Sequence, residues 1–166
     1  MTEFSKKHKK ALKDTESMIN SLENERWYYD ADFECEYTPF EEDIKIYCDA
    51  NFEFYSANNR EDLFFESLTR IVYAIAGCNA DMYYEDFFRP AELITYYFGK
   101  IISSNSNMKD PVRDWIAEFS DEYEGDMIVE EYFTPFIKGE KVYHADTYYT
   151  GYKDLNRMMR VFKWGI

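Results

Sequence analysis

Trp27-Tyr28-Tyr29-Asp30-Ala31-Asp32-Phe33-Glu34-Cys35-Glu36-Tyr37 alternates between two kinds of residue over its whole length. Trp27, Tyr29, Ala31, Phe33, Cys35 and Tyr37 occupy one phase of a two-residue period, and Asp30, Asp32, Glu34 and Glu36 the other. Successive side chains of an extended chain point to opposite faces, so the alternation predicts a half-buried strand. Thr38-Pro39-Phe40 then reads as a turn, because proline has no N–H to give a ladder. Asp43 to Tyr55 keeps the same division. Ile44, Ile46, Cys48, Ala50, Phe52 and Phe54 fall on one side, with Lys45, Tyr47, Asp49, Glu53 and Tyr55 on the other. Together the two runs predict an antiparallel hairpin with a core face and an acidic face.

Outward from this hairpin the signals are mostly helical. Ala11, Leu12, Thr15, Met18, Ile19 and Leu22 recur at three- and four-residue steps and predict a helix over 3–24, its lysine-rich first turns prone to fray. Asn59 is placed to cap a helix over 60–76, and Pro90 to open another bearing Leu93, Ile94, Tyr97, Phe98 and Ile101. The polar run 103–107 is a linker, after which Asp110 and Pro111 start a helix with Val112, Trp115, Ile116 and Phe119 on one stripe. Strands over 126–133 and 140–150 and a helix over 154–163 complete the reading. Thr38-Pro39-Phe40 recurs as Thr134-Pro135-Phe136 at a spacing of 96, with Lys-Ile-Tyr and Lys-Val-Tyr at matching distances behind.

The fold class expected is therefore α+β: antiparallel hairpins packed against four to five helices. An internal ββα repeat over 27–76 and 126–163 is one explanation of the echo, and chance is the other. The organisation expected is an N-terminal helix over 1–25 followed by a single α+β domain over 26–166.

The chain has 166 residues, 46% of them apolar, and a net charge of −14, a composition that folds rather than one that stays disordered. No apolar run approaches the roughly 20 residues that span a bilayer, and no apolar segment follows the basic start as in a signal peptide. Three cysteines (Cys35, Cys48 and Cys78) without a CxxC spacing argue against a disulfide framework, so a reducing bacterial cytoplasm is expected. Aromatic residues reach 20%. That excess fits either an AT-rich coding bias or exposed anchors for a protein partner.

Motifs for chemistry are sparse. The six glycines form no GxxxxGK[ST] or GxGxxG cradle, and no GxSxG elbow occurs. His144 and Asp146 share a predicted strand face but lack further metal ligands. Asp43-Ile44-Lys45, with Asp30 and Asp32 upstream, has the form of a metal-dependent nuclease centre, yet an acidic surface repels phosphate. No catalytic residue, metal site or cofactor is expected, and the chain reads as a non-enzyme.

Charge placement is the remaining signal. Asp30, Asp32, Glu34 and Glu36 stand about 6.8 Å apart along the predicted strand, with Asp49 and Glu53 beside them. Like charges in a row repel, so the row costs stability and asks for a cationic partner. Glu118, Asp121, Glu122, Glu124, Asp126, Glu130 and Glu131 form a second acidic concentration without a Lys or Arg among them. The profile is similar in kind to the acidic decoy proteins with which phages and mobile elements disable restriction enzymes and CRISPR nucleases. That resemblance implies an inhibitor that binds a basic nucleic-acid-handling protein in place of DNA or RNA. An immunity protein neutralising a nuclease toxin is the alternative, and an unrecognised metal-dependent nuclease the third reading. Direct contact with DNA is expected only through Lys6 to Lys10, membrane binding is not expected, and the aromatic doublets leave a dimer open.

Overall fold

Thr2 takes the first step of the fold: its Oγ1 accepts the Ser5 backbone N–H at 3.1 Å and so caps an orphan donor of a helix start. The computed structural model describes residues 2–24, 39–77, 85–126 and 128–140. Helix α1 runs over Glu3–Asn24, the span its periodicity predicts. Its basic start is docked on the next helix. Phe4 lies over Phe54 with ring centroids 5.3 Å apart, and His8 Nδ1 shares a 2.9 Å hydrogen bond with the hydroxyl of Tyr55.

The region expected to be the second strand is helix α2, Pro39–Ala57. The described residues are almost all helical and contain no strand, which overturns the α+β class and with it the ββα repeat. The reason lies in how tyrosine is counted. Read as polar, Tyr47 and Tyr55 complete a two-residue period; read as apolar, they join Ile44, Cys48 and Phe52 at helical steps of three and four. The second pattern is the one that packs. Tyr47 and Tyr55 are buried, while Ile46, assigned to the core side of the strand, is 60% exposed. Pro39 is the first residue of a helix, where its missing N–H costs nothing. The partner strand expected over 27–37 lies outside the described residues.

Asn59 does not cap the following helix; it ends α2. Its φ of 55° is left-handed, its N–H reaches Ser56 O at 3.1 Å, and the Arg60 N–H reaches Tyr55 O at 2.9 Å. This is a Schellman closure with asparagine in the position usually held by glycine. Helix α3 follows directly over Glu61–Gly77, and α4 covers Glu85–Ser104, starting five residues before Pro90. The linker at 103–107 is tight. Asn105 Oδ1 accepts the Asn107 N–H at 3.1 Å and caps a single 3-10 turn, Ser106–Met108, which feeds α5 over Lys109–Glu122.

Of the strand expected over 126–133, residues 128–133 are helical. Ile128, Val129, Tyr132 and Phe133 are buried, a helical spacing, and Val129–Phe133 forms a π-helical turn that continues into α6, Thr134–Lys138. Gly139, at φ 69°, closes α6 with a second Schellman pattern. The segments 141–150 and 154–163 lie outside the described residues.

Packing follows from the stripes. α3 touches α1, α2 and α4, α5 and the π turn pack on α4, and α6 packs on α5 and the π turn. Aromatic rings fill the joints. Phe98 of α4 meets Phe65 of α3 at 5.4 Å, Trp115 of α5 at 5.7 Å and Phe133 at 5.9 Å. Each such pair adds about 0.5–1.5 kcal/mol beyond the apolar area it buries. Most of the described aromatic excess is therefore core. Glu61, only 2% exposed, accepts hydrogen bonds from Ser104 Oγ at 3.1 Å and Asn105 Nδ2 at 3.3 Å, tying the start of α3 to the end of α4.

Candidate interaction surface

Helix α5 carries Trp115, Phe119 and Tyr123 at four-residue steps, the last at its C-cap, so their rings line up on one side. Trp115 stacks on Phe119 at 5.1 Å, and Phe119 on Tyr123 at 4.5 Å. Tyr73 of α3 leans on all three, at 5.7, 5.4 and 6.2 Å. Phe119 is fully buried, and Trp115 and Tyr123 are half-buried. Tyr73, 36% exposed, brings this ladder to the surface.

Glu118 and Glu122 flank the ladder. On a helix of 3.6 residues per turn both lie within about 60° of Trp115, on the side away from the core stripe. Both are exposed. Partial burial, with the carboxylates of Glu122 and Glu118, pushes the Tyr73 phenol above its ordinary pKa, so the two acids and the ring share one electrostatic environment. Asp121, Glu124 and Glu130 extend the exposed negative charge around the end of α5. Among the described residues none of Glu118, Asp121, Glu122, Glu124, Glu130 and Glu131 forms an ion pair.

The placement is unfavourable for the helix itself. The last turn of α5 holds Asp121 and Glu122 and no basic residue, so negative charge sits at the negative end of the helix dipole. Gly125, at φ 84°, turns the chain beyond it. Asp126 has a different task from its neighbours: its Oδ1 accepts the Ile128 N–H at 2.9 Å and its carbonyl the Glu130 N–H at 3.0 Å, which caps the final helical segment. Glu131 is half-buried on the π turn.

The other predicted contacts fare differently. Asp30, Asp32, Glu34 and Glu36 lie outside the described residues. Asp49 and Glu53 are exposed on α2, one helical turn apart and not along a strand. Asp49 is already engaged: Lys45 Nζ donates to it at 2.5 Å, and so does the Tyr97 hydroxyl. Burial works against its ionisation, but the bonds from Lys45 and Tyr97 outweigh that and hold the carboxyl below its ordinary value. Lys100 adds a second cation to this patch, its ammonium 4.6 Å from the Phe52 ring and 5.2 Å from the Tyr97 ring.

The nuclease geometry does not survive the change of period. Asp43 and Lys45 would share a strand face, but two residues apart on a helix they point about 160° apart. Among the described residues no three His, Cys, Asp or Glu side chains are grouped to hold a metal ion. Cys48 is fully buried in the core, and burial pushes its thiol pKa well up. No helix among the described residues is long and apolar enough to cross a membrane.

Tyr73 was invisible in the sequence, lying between the buried Val72 and Ala74. The four-residue spacing of Trp115, Phe119 and Tyr123 was the signal available for the ladder. Compared with known protein families, curated proteins and solved structures, the chain matches none.

Proposed function

We propose that the chain is a non-enzymatic acidic inhibitor that docks on a basic nucleic-acid-handling protein of a bacterial host and competes with its DNA or RNA. The observation that carries this reading is the exposed group Glu118, Asp121, Glu122 and Glu124 at the end of α5, without an ion pair among the described residues and against the helix dipole. Mixed surface charge would give solubility at less cost to stability. Such a surface steers itself toward a cationic cleft and is lost to screening beyond about 8–10 Å in ordinary salt.

The shape of the charge also supports a second reading. On helical backbone the carboxylates gather at one helix end and do not run as an extended row, which suits the covering of a single basic active site. An immunity protein against a nuclease toxin has that task.

The test is affinity capture from the native host at low and high salt, with release by added DNA or RNA as the readout. A basic nucleic-acid-binding protein retained at low salt, displaced by nucleic acid, and lost with Glu118→Lys plus Glu122→Lys is the expected result. Capture that ignores salt, nucleic acid and charge reversal overturns the reading. The captured protein, defence nuclease or toxin, separates the two forms.

A further inference from the structure

We propose that Lys6, Lys9, Lys10 and Lys13 form a phosphate-binding stripe on α1 that takes the backbone of a nucleic-acid strand. The site goes beyond the inhibitor reading and uses none of the carboxylates of α5. On a helix of 3.6 residues per turn the four lysines fall within an arc of about 100°. Phe4, His8, Ala11, Thr15 and Ile19 occupy the opposite side, turned toward α2 and α3. All four lysines are exposed, and none forms an ion pair among the described residues. Lys7 lies off the arc and pairs with Glu3 at 3.5 Å, while Glu16, at the border of the arc, is engaged by Arg70. The arrangement opposes the helix that carries it. Lys6–Lys9, Lys6–Lys10, Lys9–Lys13 and Lys10–Lys13 are like charges three or four residues apart, and Lys6 stands near the positive end of the helix dipole. Fraying would relieve that repulsion, but these turns are held: Thr2 caps them, Phe4 packs on Phe54, and His8 bonds to Tyr55. The stripe is therefore an ordered surface. Lys6 to Lys13 span about 10.5 Å of helix, and one strand of a duplex, at about 3.4 Å per phosphate, lays three to four phosphates along that length. Lysine meets phosphate as a point charge on a flexible stem. Four lysines without an arginine favour a phosphate backbone over an acidic protein, since protein interfaces enrich arginine and deplete lysine. In ordinary salt, acidic charge more than about 8–10 Å from the strand is screened.

The experiment follows the fluorescence anisotropy of a labelled DNA duplex titrated with the full chain between about 0.05 and 0.2 M salt. Binding through four phosphates is expected to weaken with a log–log salt slope of about −3.6, roughly 10²-fold over that range. Lys6→Gln plus Lys10→Gln is expected to halve the slope, to about −1.8, whatever the DNA sequence. Lys138→Gln, at an exposed position of α6, is expected to change nothing. Far-UV circular dichroism is expected to show α1 intact in the double variant, since the substitutions remove repulsion. Amide shifts of the unsubstituted chain on adding the duplex, a readout that does not depend on how a variant folds, are expected to centre on residues 6–13. Absence of binding at the lowest salt, a slope that the double substitution leaves unchanged, or shifts centred elsewhere overturns the site. Equal affinity for polyglutamate of matching charge also overturns it and assigns the stripe to an acidic protein. Host capture that depends on Glu118 and Glu122 tests the other surface, so either reading can fail without the other.

Discussion

The hydroxyls of Thr15 and Tyr47 meet at 2.7 Å between α1 and α2, in a region from which water is excluded. Thr15 also donates to the Ala11 carbonyl one turn back at 2.8 Å, and Tyr47 has Ser67 of α3 as a further partner. Three helices thus share one buried polar junction.

Replacing Tyr47 with Phe removes the centre of that junction while keeping the ring. A net buried hydrogen bond contributes about 0.5–1.5 kcal/mol, and the partners left behind add to the loss. Urea unfolding is expected to show a midpoint lowered by about 1–2 kcal/mol of stability at an unchanged slope. A neutral outcome would mean that the hydroxyls are as well served by water.

The turn at Asn59 makes a prediction that depends only on the backbone. A left-handed residue costs a side chain with a β-carbon about 1–2 kcal/mol, less for asparagine and nothing for glycine. Asn59→Gly is expected to hold or raise the melting temperature, and Asn59→Val to lower stability by about 1–2 kcal/mol. Thermal unfolding of the two variants side by side checks the order.

Two acidic positions are expected to respond to charge reversal in opposite ways. Asp49→Lys breaks the contacts with Lys45 and Tyr97 and places like charge beside Lys45, so it lowers stability by about 0.5–1 kcal/mol and leaves partner binding intact. Glu122→Lys relieves the helix dipole and its acidic neighbours, so it raises stability by about 0.3–1 kcal/mol while binding weakens. Stability gained where function is lost is the mark of a surface kept for its partner. Calorimetry and capture, run on both variants, decide it.

Alkali is expected to unfold the protein. Burial raises the phenol pKa of Tyr47, Tyr55, Tyr73 and Tyr97 and the thiol pKa of Cys48. Each group holds its proton more tightly folded than unfolded, so its contribution to stability is complete below the unfolded pKa, near 8.5 for the thiol and near 10 for the phenols. That contribution drains as pH rises toward the folded values. Helical circular dichroism and tyrosinate absorbance followed together above about pH 10 should change in one step for the buried tyrosines. Ordinary titration of all phenols with the helices intact would contradict the packing.

Much of the helical half of the fold was legible: α1 in full, α3 nearly so, and the core stripe Val112, Trp115, Ile116 and Phe119 of α5. The hairpin was a misreading with a specific cause. Between Asp43 and Tyr55 two periods fit the same letters, and the side taken by Tyr47 and Tyr55 decides between them. Backbone pairing was never tested by that alternation, and a phenol is amphipathic enough to serve either period. The acidic run near Glu118 could be found by counting charges. Its meeting with Tyr73 could not, since the two are brought together only by the packing of α3 on α5.

The π turn at Val129–Phe133 carries one residue more than an α-helical turn would hold, and its ladder is marked by the Thr134 N–H reaching Val129 O. Deletion of one residue there is expected to leave an ordinary α-helical turn, a change that circular dichroism and thermal unfolding of the shortened chain would check. The extra residue also sets the angular position of Glu130 and Glu131 about the helix, so a change of length in this turn would rotate both carboxylates relative to those at the end of α5.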